Sequence, residues 1–597
     1  MAAIVIPVLL RGPSTSPSPG TPVLLAALGA ALLAILACGC GTHVASHVAP
    51  STHPAPIANT DHFVECHNGV VVSVSGPATD VGLAILKQGG NAVDAAVATA
   101  FAMDVAYPIA GNLGGGGFML IHPAPRKGPP VAIDYRECAP AAAWATMFNR
   151  TESQFTCKDV AVPGTIRGME MAHRRFGSLP WRQLLQPSVA LARNGYVVDA
   201  NLAGSLNDTL PLCRDFTEFQ RVFGKPGGGL WRAGDIMVQA DLARTLQRLA
   251  DLGPDAFYNG PFTKGIVAEM RRGNGLITAA DMASYHAIAR KPLTTRYRGK
   301  YDVYVPPPPS SGGVCLLEEL NILQAFDLRA WGRWSPELMH VMAEAMRRAN
   351  YDRARYLGDP AFVHIPSKLI SPAYGEQLAK TIDLHKATRS ADLSRDIFLA
   401  PESKDTTHFS IIDRDGMAVA NTYTLERRWG SRIVVRNMGF LLNNEMRAFN
   451  MFPGVTTAGG DIGTAPNTIA PGKRPLSSMT PTIVAKNGRV KLITGSPGSQ
   501  AIPHTVLNIM VSVFDFGMPI QAAVDSPRFS NQWLPDRITF EAPERYPETM
   551  KVLKEMGHII VRTGPLPQGD AHTIWVEKPN TYIGVADRRY SGKVAGY

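Results

Sequence analysis

The sequence predicts an α+β protein in which a helix-rich first part leads into a strand-rich second part. Up to about residue 380, helical periodicity and helix caps dominate. From Thr406 to the C-terminus, alternating runs fold back on themselves around short polar turns. The segment between them, "HKATRSADLSRDIFLAPESKD", is polar and aperiodic, as a linker is.

Element by element, "GVVVSVSG" reads as a strand, and Asp80 to Gln88 as a short helix stopped by Gly89 and Gly90. Asn91 caps a second helix, "AVDAAVATAFAMDVAYP", with Asp94 in its first turn and Pro108 beyond its end. The run Gly114 to Gly117 is not followed by Lys-Ser or Lys-Thr, which argues against a phosphate loop and for close backbone packing. "PPPPSSGG" reads as a rigid turn. In the second part, "HFSII" and "MAVANTYT" form a hairpin around Asp413 to Gly416. Its register sets Thr406 across from Tyr423, beside Thr424. A second hairpin, "PTIVAKNGRVKLIT", turns at Asn487-Gly488. It brings Ser477 and Ser478 to the same sheet edge as Gly498 and Ser499.

Composition bounds the rest. A chain of 597 residues exceeds one ordinary core, so several folding units or one large layered domain are expected. With 45% hydrophobic and 18% charged residues it is ordinary globular material. The net charge of +10 is scattered without a basic tract, which disfavours nucleic acid and suits anionic substrates. Residues 1–37 include "TPVLLAALGAALLAILA", an apolar run of signal-peptide length with Arg11 as the only cation upstream. The chain is therefore expected to be exported to the periplasm or cell surface. Ile35 to Cys38 resemble a bacterial lipoprotein cleavage box, which makes Cys38 a candidate lipid anchor. Residues 38–62, rich in Ala, Ser, Thr, Pro and His, read as a flexible tether. Cys66, Cys138, Cys157, Cys213 and Cys315 have no CxxC spacing, so no metal site follows; pairing of some and burial of all as thiols both stay open.

Eight segments carry a resemblance: "KDTTHFSIIDRDGMAVANTYTLE", "GFLLNNEM", "KRPLSSMTPTIV", "TGSPGS", "GNLGGGGFMLI", "AIDYRECAP", "PPPPSSGG" and the terminal "GY". In order and spacing, from about residue 68 to 597, they resemble the γ-glutamyltransferase family of N-terminal nucleophile hydrolases. The resemblance implies a four-layer αββα sandwich made as one precursor. That precursor cuts itself before Thr406 into a large subunit, 63–405, and a small subunit, 406–597, which stay together as a heterodimer. It also implies Thr406 as nucleophile, with its freed amine as base, and Thr424 as the hydroxyl that orients it. The amides of Gly498 and Ser499 would form the oxyanion hole, with Ser499 standing where a second glycine is usual. Arg136, Ser477 and Ser478 would bind the substrate α-carboxylate, while Glu426 and Glu445 would face its α-ammonium.

The implied substrates are glutathione or other γ-glutamyl compounds, with water or acceptor amino acids and peptides receiving the acyl group, and no cofactor or metal. One departure bears on specificity. Family members commonly read "NNEMDDF", whereas this chain reads "NNEMRAFN". Ala448 thus stands where an aspartate holds the α-ammonium, and Arg447 is expected to add positive charge beside it. Gly459 stands where some bacterial members carry a tyrosine over the site, so a more open pocket is expected. Two other readings follow: an acylase for glutaryl-like amides on the same scaffold, or a catalytically silent surface lipoprotein that binds peptides.

Overall fold

Two seven-stranded antiparallel sheets lie face to face with helices on both outer sides, in a computed structural model that describes residues 60–393, 399–400, 406–459, 461–564 and 567–597. The signal, tether and Cys38 readings fall outside these residues, as does Asp405. The strands, in chain order, are β1 (Phe63–Cys66), β2 (Gly69–Ser73), β3 (Gly116–His122), β4 (Val131–Tyr135), β5 (Ile288–Arg290), β6 (Leu293–Tyr297) and β7 (Tyr301–Val305). They continue with β8 (Thr407–Asp413), β9 (Ala418–Thr424), β10 (Thr482–Lys486), β11 (Arg489–Thr494), β12 (His572–Lys578), β13 (Thr581–Ala586) and β14 (Lys593–Gly596). One sheet runs β14-β2-β8-β9-β3-β4-β5 and the other β1-β13-β12-β11-β10-β7-β6.

Strand periodicity explains the four layers. Successive side chains point to opposite faces, and here both faces are covered. On β2, Val70 and Val72 enter the core between the sheets while Val71 enters the core under the helices. Ile411 and Ile412 of β8 divide the same way. The first outer layer includes α1 (Gly76–Lys87) and α2 (Ala92–Ala106). The second includes α3 (Ser311–Leu323), α4 (Pro336–Tyr356) and α5 (Ile502–Phe514), which share a core with Val303, Val484 and Leu492. This is the αββα sandwich that the family resemblance implies.

Local signals held where they were specific. Asn91 caps α2 by accepting from the amides of Val93 and Asp94, and Asp94 accepts from the Asn91 amide in return. The Asn487-Gly488 turn has positive φ at both residues, as a two-residue hairpin of this type requires. The first hairpin is shifted by one residue from the expected register: Thr407, not Thr406, faces Tyr423. Its turn spans Arg414 to Gly416 with Gly416 at φ 82°, and Asp413 Oδ1 accepts from the amides of Asp415 and Met417. Asp413 Oδ2 also accepts from Ala92 N at 2.9 Å, which ties this turn to the start of α2.

Two expectations need correction. "PPPPSSGG" is more than a turn, because Ser310 caps α3 and the Ser-Gly-Gly that follows forms its first turn. The first part also holds seven of the fourteen strands of the two large sheets. Strands buried on both faces, such as β3 at every residue, show no polar alternation to betray them. The five cysteines from Cys66 to Cys315 are all free thiols, four of them buried.

Helix α2 is buried at all fifteen positions, including Asp104, whose Oδ2 has no hydrogen-bond partner. Burial pushes that carboxyl from 3.8 up to about 8, offset in part by a backbone hydrogen bond from Leu113. The folded state therefore holds a proton that the unfolded chain loses, and this group destabilises the fold progressively as pH rises from about 4 towards 8. Asp104→Asn is expected to raise the thermal midpoint by an increment that grows from about pH 5 to about pH 8. Thermal scans of both proteins across that range check this, and an increment independent of pH contradicts it.

Candidate active site

Thr406 stands immediately before β8, and extending the register by one step places it beside Thr424, the last residue of β9. The two threonines line the same cavity. Thr424 Oγ accepts from Glu426 N at 2.8 Å. Glu426 has φ 79°, which turns the chain sharply enough for its own amide to reach back. The Thr424 carbonyl accepts from Asn112 Nδ2 at 2.9 Å, and Asn112 Oδ1 accepts from Gly115 N and from the Thr165 hydroxyl. Here the glycine run has its purpose: a Cβ on Gly115 would lie 2.0 Å from the Thr424 carbonyl oxygen.

The imidazole two residues beyond Thr406 does not serve as base. His408 is fully buried, with Nδ1 against Thr422 Oγ at 2.8 Å and Nε2 against Ser410 Oγ at 3.0 Å. Burial, then the neighbouring His572, holds its pKa well below the usual histidine range. A Cβ on Gly495 would sit 2.3 Å from this ring, so the glycine is what lets β11 pass.

Eight of the nine expected site residues line one cavity of about 50 Å³: Thr406, Thr424, Ser499, Arg136, Glu426, Glu445, Ser477 and Ser478. Gly498, the ninth, lines the cavity on the other side of Thr406. Arg136 is 2% exposed, its Nη2 lying 2.5 Å from Glu445 Oε1 and its Nη1 3.2 Å from Glu137 Oε2. Its remaining donors reach the carbonyls of Pro475 and Leu476. Glu137 is held well above the usual carboxylate range by burial and then by Glu445; Glu445 is raised by burial. Glu137 Oε1 and Glu445 Oε2 have no hydrogen-bond partner among the described residues.

The serine pair is held by the start of α3. Ser477 N donates to the Pro309 carbonyl at 2.8 Å, and the Ser477 carbonyl accepts from Ser311 N at 2.6 Å. Arg353 Nε donates to Ser311 Oγ at 3.1 Å and lines the same cavity. Sequence reasoning missed Arg353 because "AMRRANYDRARY" reads like a solvated basic face. Gly498 caps and Ser499 opens a short 3-10 turn, Ser499–Ala501, that runs directly into α5. Their amides therefore stand at the positive end of a helix, where a developing oxyanion is favoured. Ser499 adopts φ 54°, a left-handed conformation that costs an L-residue about 1 kcal/mol.

Ala448 lines the small cavity, as its position implies. Arg447 does not add charge there. Its guanidinium is buried against Asp159, donates to the Ser153 carbonyl at 2.7 Å and lies 4.0 Å over the Phe148 ring. The reason is local: a buried arginine needs a carboxylate, and Asp159 supplies it. On the other side of Thr406 lies a larger cavity of about 310 Å³, lined also by Gly459, Arg428, Arg537 and Asp570. Among the described residues, His340, Glu344 and His558 come close enough to hold a cation, but Glu344 already accepts from Arg347 and Arg348. His340 Nδ1 lies 2.7 Å from His558 Nε2.

A threonine heading a central strand of an αββα sandwich, with backbone amides aimed from a helix start, is the arrangement of an N-terminal nucleophile hydrolase. A sequence model described as Gamma-glutamyltranspeptidase matches residues 78–597, and the chain belongs to that family. The glutathione hydrolase proenzyme of Escherichia coli (strain K12) is 42% identical over 581 residues, covering 95% of this chain and 98% of that one. Among solved structures, a cephalosporin acylase from Bacillus halodurans matches with TM-score 0.79 at 26% identity, covering 92% of this chain and 99% of that one. The γ-glutamyltranspeptidase of Helicobacter pylori matches with TM-score 0.53 at 38% identity, covering 56% and 95%.

Autocatalytic cleavage before Thr406 is expected to release residues 406–597, which are 192/597 of 64.3 kDa, about 21 kDa. Thr406→Ala is expected to stay a single inactive chain on denaturing gels. Maturation of that variant at the same bond would show that another group attacks.

Proposed function

We propose that the protein is a self-processing γ-glutamyltransferase and glutathione hydrolase. The observation that carries this reading is the position of Thr406 on the shared wall of two cavities, one small and strongly polar, the other larger. The small cavity suits the γ-glutamyl group and the larger one the amine that leaves or arrives. Thr406 Oγ attacks the γ-amide carbon, and the Thr406 amine takes the hydroxyl proton and passes it to the leaving amine. Thr424 orients the nucleophile, and the amides of Gly498 and Ser499 hold the oxyanion. Water or an acceptor amine then takes the acyl group from Thr406. The donor's α-carboxylate meets Arg136, Ser477 and Ser478, and its α-ammonium meets Glu426 and Glu445. For Arg136 to turn from Glu445 to an incoming carboxylate, Glu445 must find the ammonium at the same moment, which couples recognition of the two groups. We infer export, with the mature chain in the periplasm or at the cell surface and Cys38 as a lipid anchor, from residues 1–38 alone.

A glutaryl-type acylase is the second reading. Ala448 leaves the acyl cavity without an aspartate for an α-ammonium, and a protein of similar fold is a cephalosporin acylase. Incubating the processed enzyme with γ-glutamyl and glutaryl anilides in parallel separates the two. Ala448→Asp is expected to raise kcat/KM for the γ-glutamyl donor and lower it for the glutaryl donor. The effect on the γ-glutamyl donor is at the low end of about 2–5 kcal/mol, because Glu426 and Glu445 remain. An unchanged ratio would mean that the departure at 448 is compensated.

The base assignment makes a further prediction. kcat/KM is expected to rise through about pH 7 to 8 as the Thr406 ammonium loses its proton, since only the free amine accepts one. A profile flat from about pH 6 to 9 contradicts it.

A further inference from the structure

The end of the sandwich remote from Thr406 is also shaped like a site. β8 runs from Thr407 at the nucleophile's end to Asp413 at the other, so about 20 Å of strand separates the two ends. At the remote end three hairpin turns converge, those that follow β8, β10 and β12. Between them lies a cavity of about 310 Å³. Ile412, Val490, Val576 and Tyr582 form its floor, and all four belong to the core between the two sheets or pack against it. The cavity is where that core opens to solvent.

The rim is cationic. Lys486, Arg489, Lys491 and Lys578 line the opening. Arg126 and Lys127, which follow Pro125 of the cavity wall, and Arg414, which precedes Asp415 of the wall, are exposed beside it. Two acids line the cavity, Asp415 and Glu577, and Glu577 Oε2 accepts from Trp575 Nε1 at 2.6 Å. The sheet register sets Lys486 directly opposite Arg489, a like-charged cross-strand pair that costs stability when nothing bridges it. Among the described residues the side chains of Arg489 and Lys578 have no hydrogen-bond or ion-pair partner. Lys491 is fixed: its Nζ donates to the carbonyls of Val576 at 2.5 Å and Glu577 at 3.0 Å and lies 4.0 Å over the Trp575 ring. Two of its three donors are thereby used, and the third remains.

We propose that this cavity binds an amphipathic anion, a phosphate or carboxylate head carrying an apolar chain. The head bridges Arg489, Lys578 and the remaining donor of Lys491, which offsets the repulsion among the rim cations. The chain covers Ile412, Val490, Val576 and Tyr582 at the open end of the core. A bare ion would leave this floor wet, and a neutral chain would leave the cations unpaired, so rim and floor together select the class. A volume of about 310 Å³ is at the lower end of ligand pockets and suits a short chain. The site is independent of the γ-glutamyl reading, since none of its residues touches the cavities beside Thr406.

Isothermal titration of the processed protein with octyl phosphate, inorganic phosphate and octanol tests this. Octyl phosphate is expected to bind at least about 10-fold more tightly than either control, because each control supplies only the head or only the chain. Added salt should weaken its binding. Arg489→Glu combined with Lys578→Glu is expected to weaken octyl phosphate at least about 10-fold, and Val576→Asn acts in the same direction through the floor. Both charge reversals lie at exposed strand ends, so the thermal midpoint is expected to hold. Sedimentation with phosphatidylglycerol or phosphatidylcholine vesicles separates the two sources of such an anion. Capture by phosphatidylglycerol alone, lost in the charge-reversed variant, assigns a lipid headgroup; octyl phosphate binding without capture assigns a free amphiphile. Inorganic phosphate or octanol binding as tightly as octyl phosphate overturns the inference, and so does undiminished octyl phosphate binding in the charge-reversed and Val576→Asn variants.

Discussion

The backbone ladder between β8 and β9 is the constraint on which the active site depends. It fixes the order in which Thr406 and Thr424 emerge at one sheet edge, and no side chain has to be strained to bring their hydroxyls together. The ladder is itself positioned from both sides. On one flank, β2 pairs with β8; on the other, β3 meets β9 with Gly116 opposite Thr424 and Gly117 opposite Tyr423. A Cβ at Gly117 would lie 2.3 Å from the Thr422 carbonyl oxygen, so the close approach is written into the glycines. Side chains that hold substrate are then added by loops leaving that edge.

The electrostatics of the small cavity follow from burial. Arg136, Glu137 and Glu445 are all nearly inaccessible, and a lone carboxylate or guanidinium there would be severely disfavoured. Burial raises the pKa of both acids, which favours a protonated form and reduces the cluster's net negative charge before substrate arrives. A zwitterionic head group can replace these contacts one for one, whereas a singly charged one leaves a protein group unpaired. Ala448 shifts this balance, while Arg447 does not because Asp159 already neutralises it.

Much of this was legible in the sequence because it rests on local chemistry. Asn91 with Asp94, Asn487 with Gly488, and the hydroxyl pairs at the strand ends each have a short-range cause, and each appears where that cause puts it. The registers of two hairpins sufficed to bring residues around 406, 424, 477 and 498 together. The one-residue shift of the first hairpin came from Asp413, whose side chain closes a three-residue turn that periodicity alone cannot distinguish from a two-residue one. Arg353, Arg428 and Arg537 were not legible. An arginine's pattern in the chain is the same whether it faces solvent or a cavity, and only tertiary packing decides. Strands such as β3 were hidden for a related reason: with both faces covered, β3 shows no polar alternation to mark a period of two.

The sheets draw strands from both sides of the bond that is cut. In the sheet that carries Thr406, β14, β8 and β9 come from one side of it, and β2 to β5 from the other. A cut there does not separate two domains; it severs one interleaved fold. Before the cut, unfolding is a unimolecular event that the chain can reverse. Afterwards the same native state is a complex of two pieces, and its recovery from denaturant becomes second order in their concentration. The working lifetime of the mature enzyme is then governed by how slowly it comes apart, a matter of barrier height more than of equilibrium.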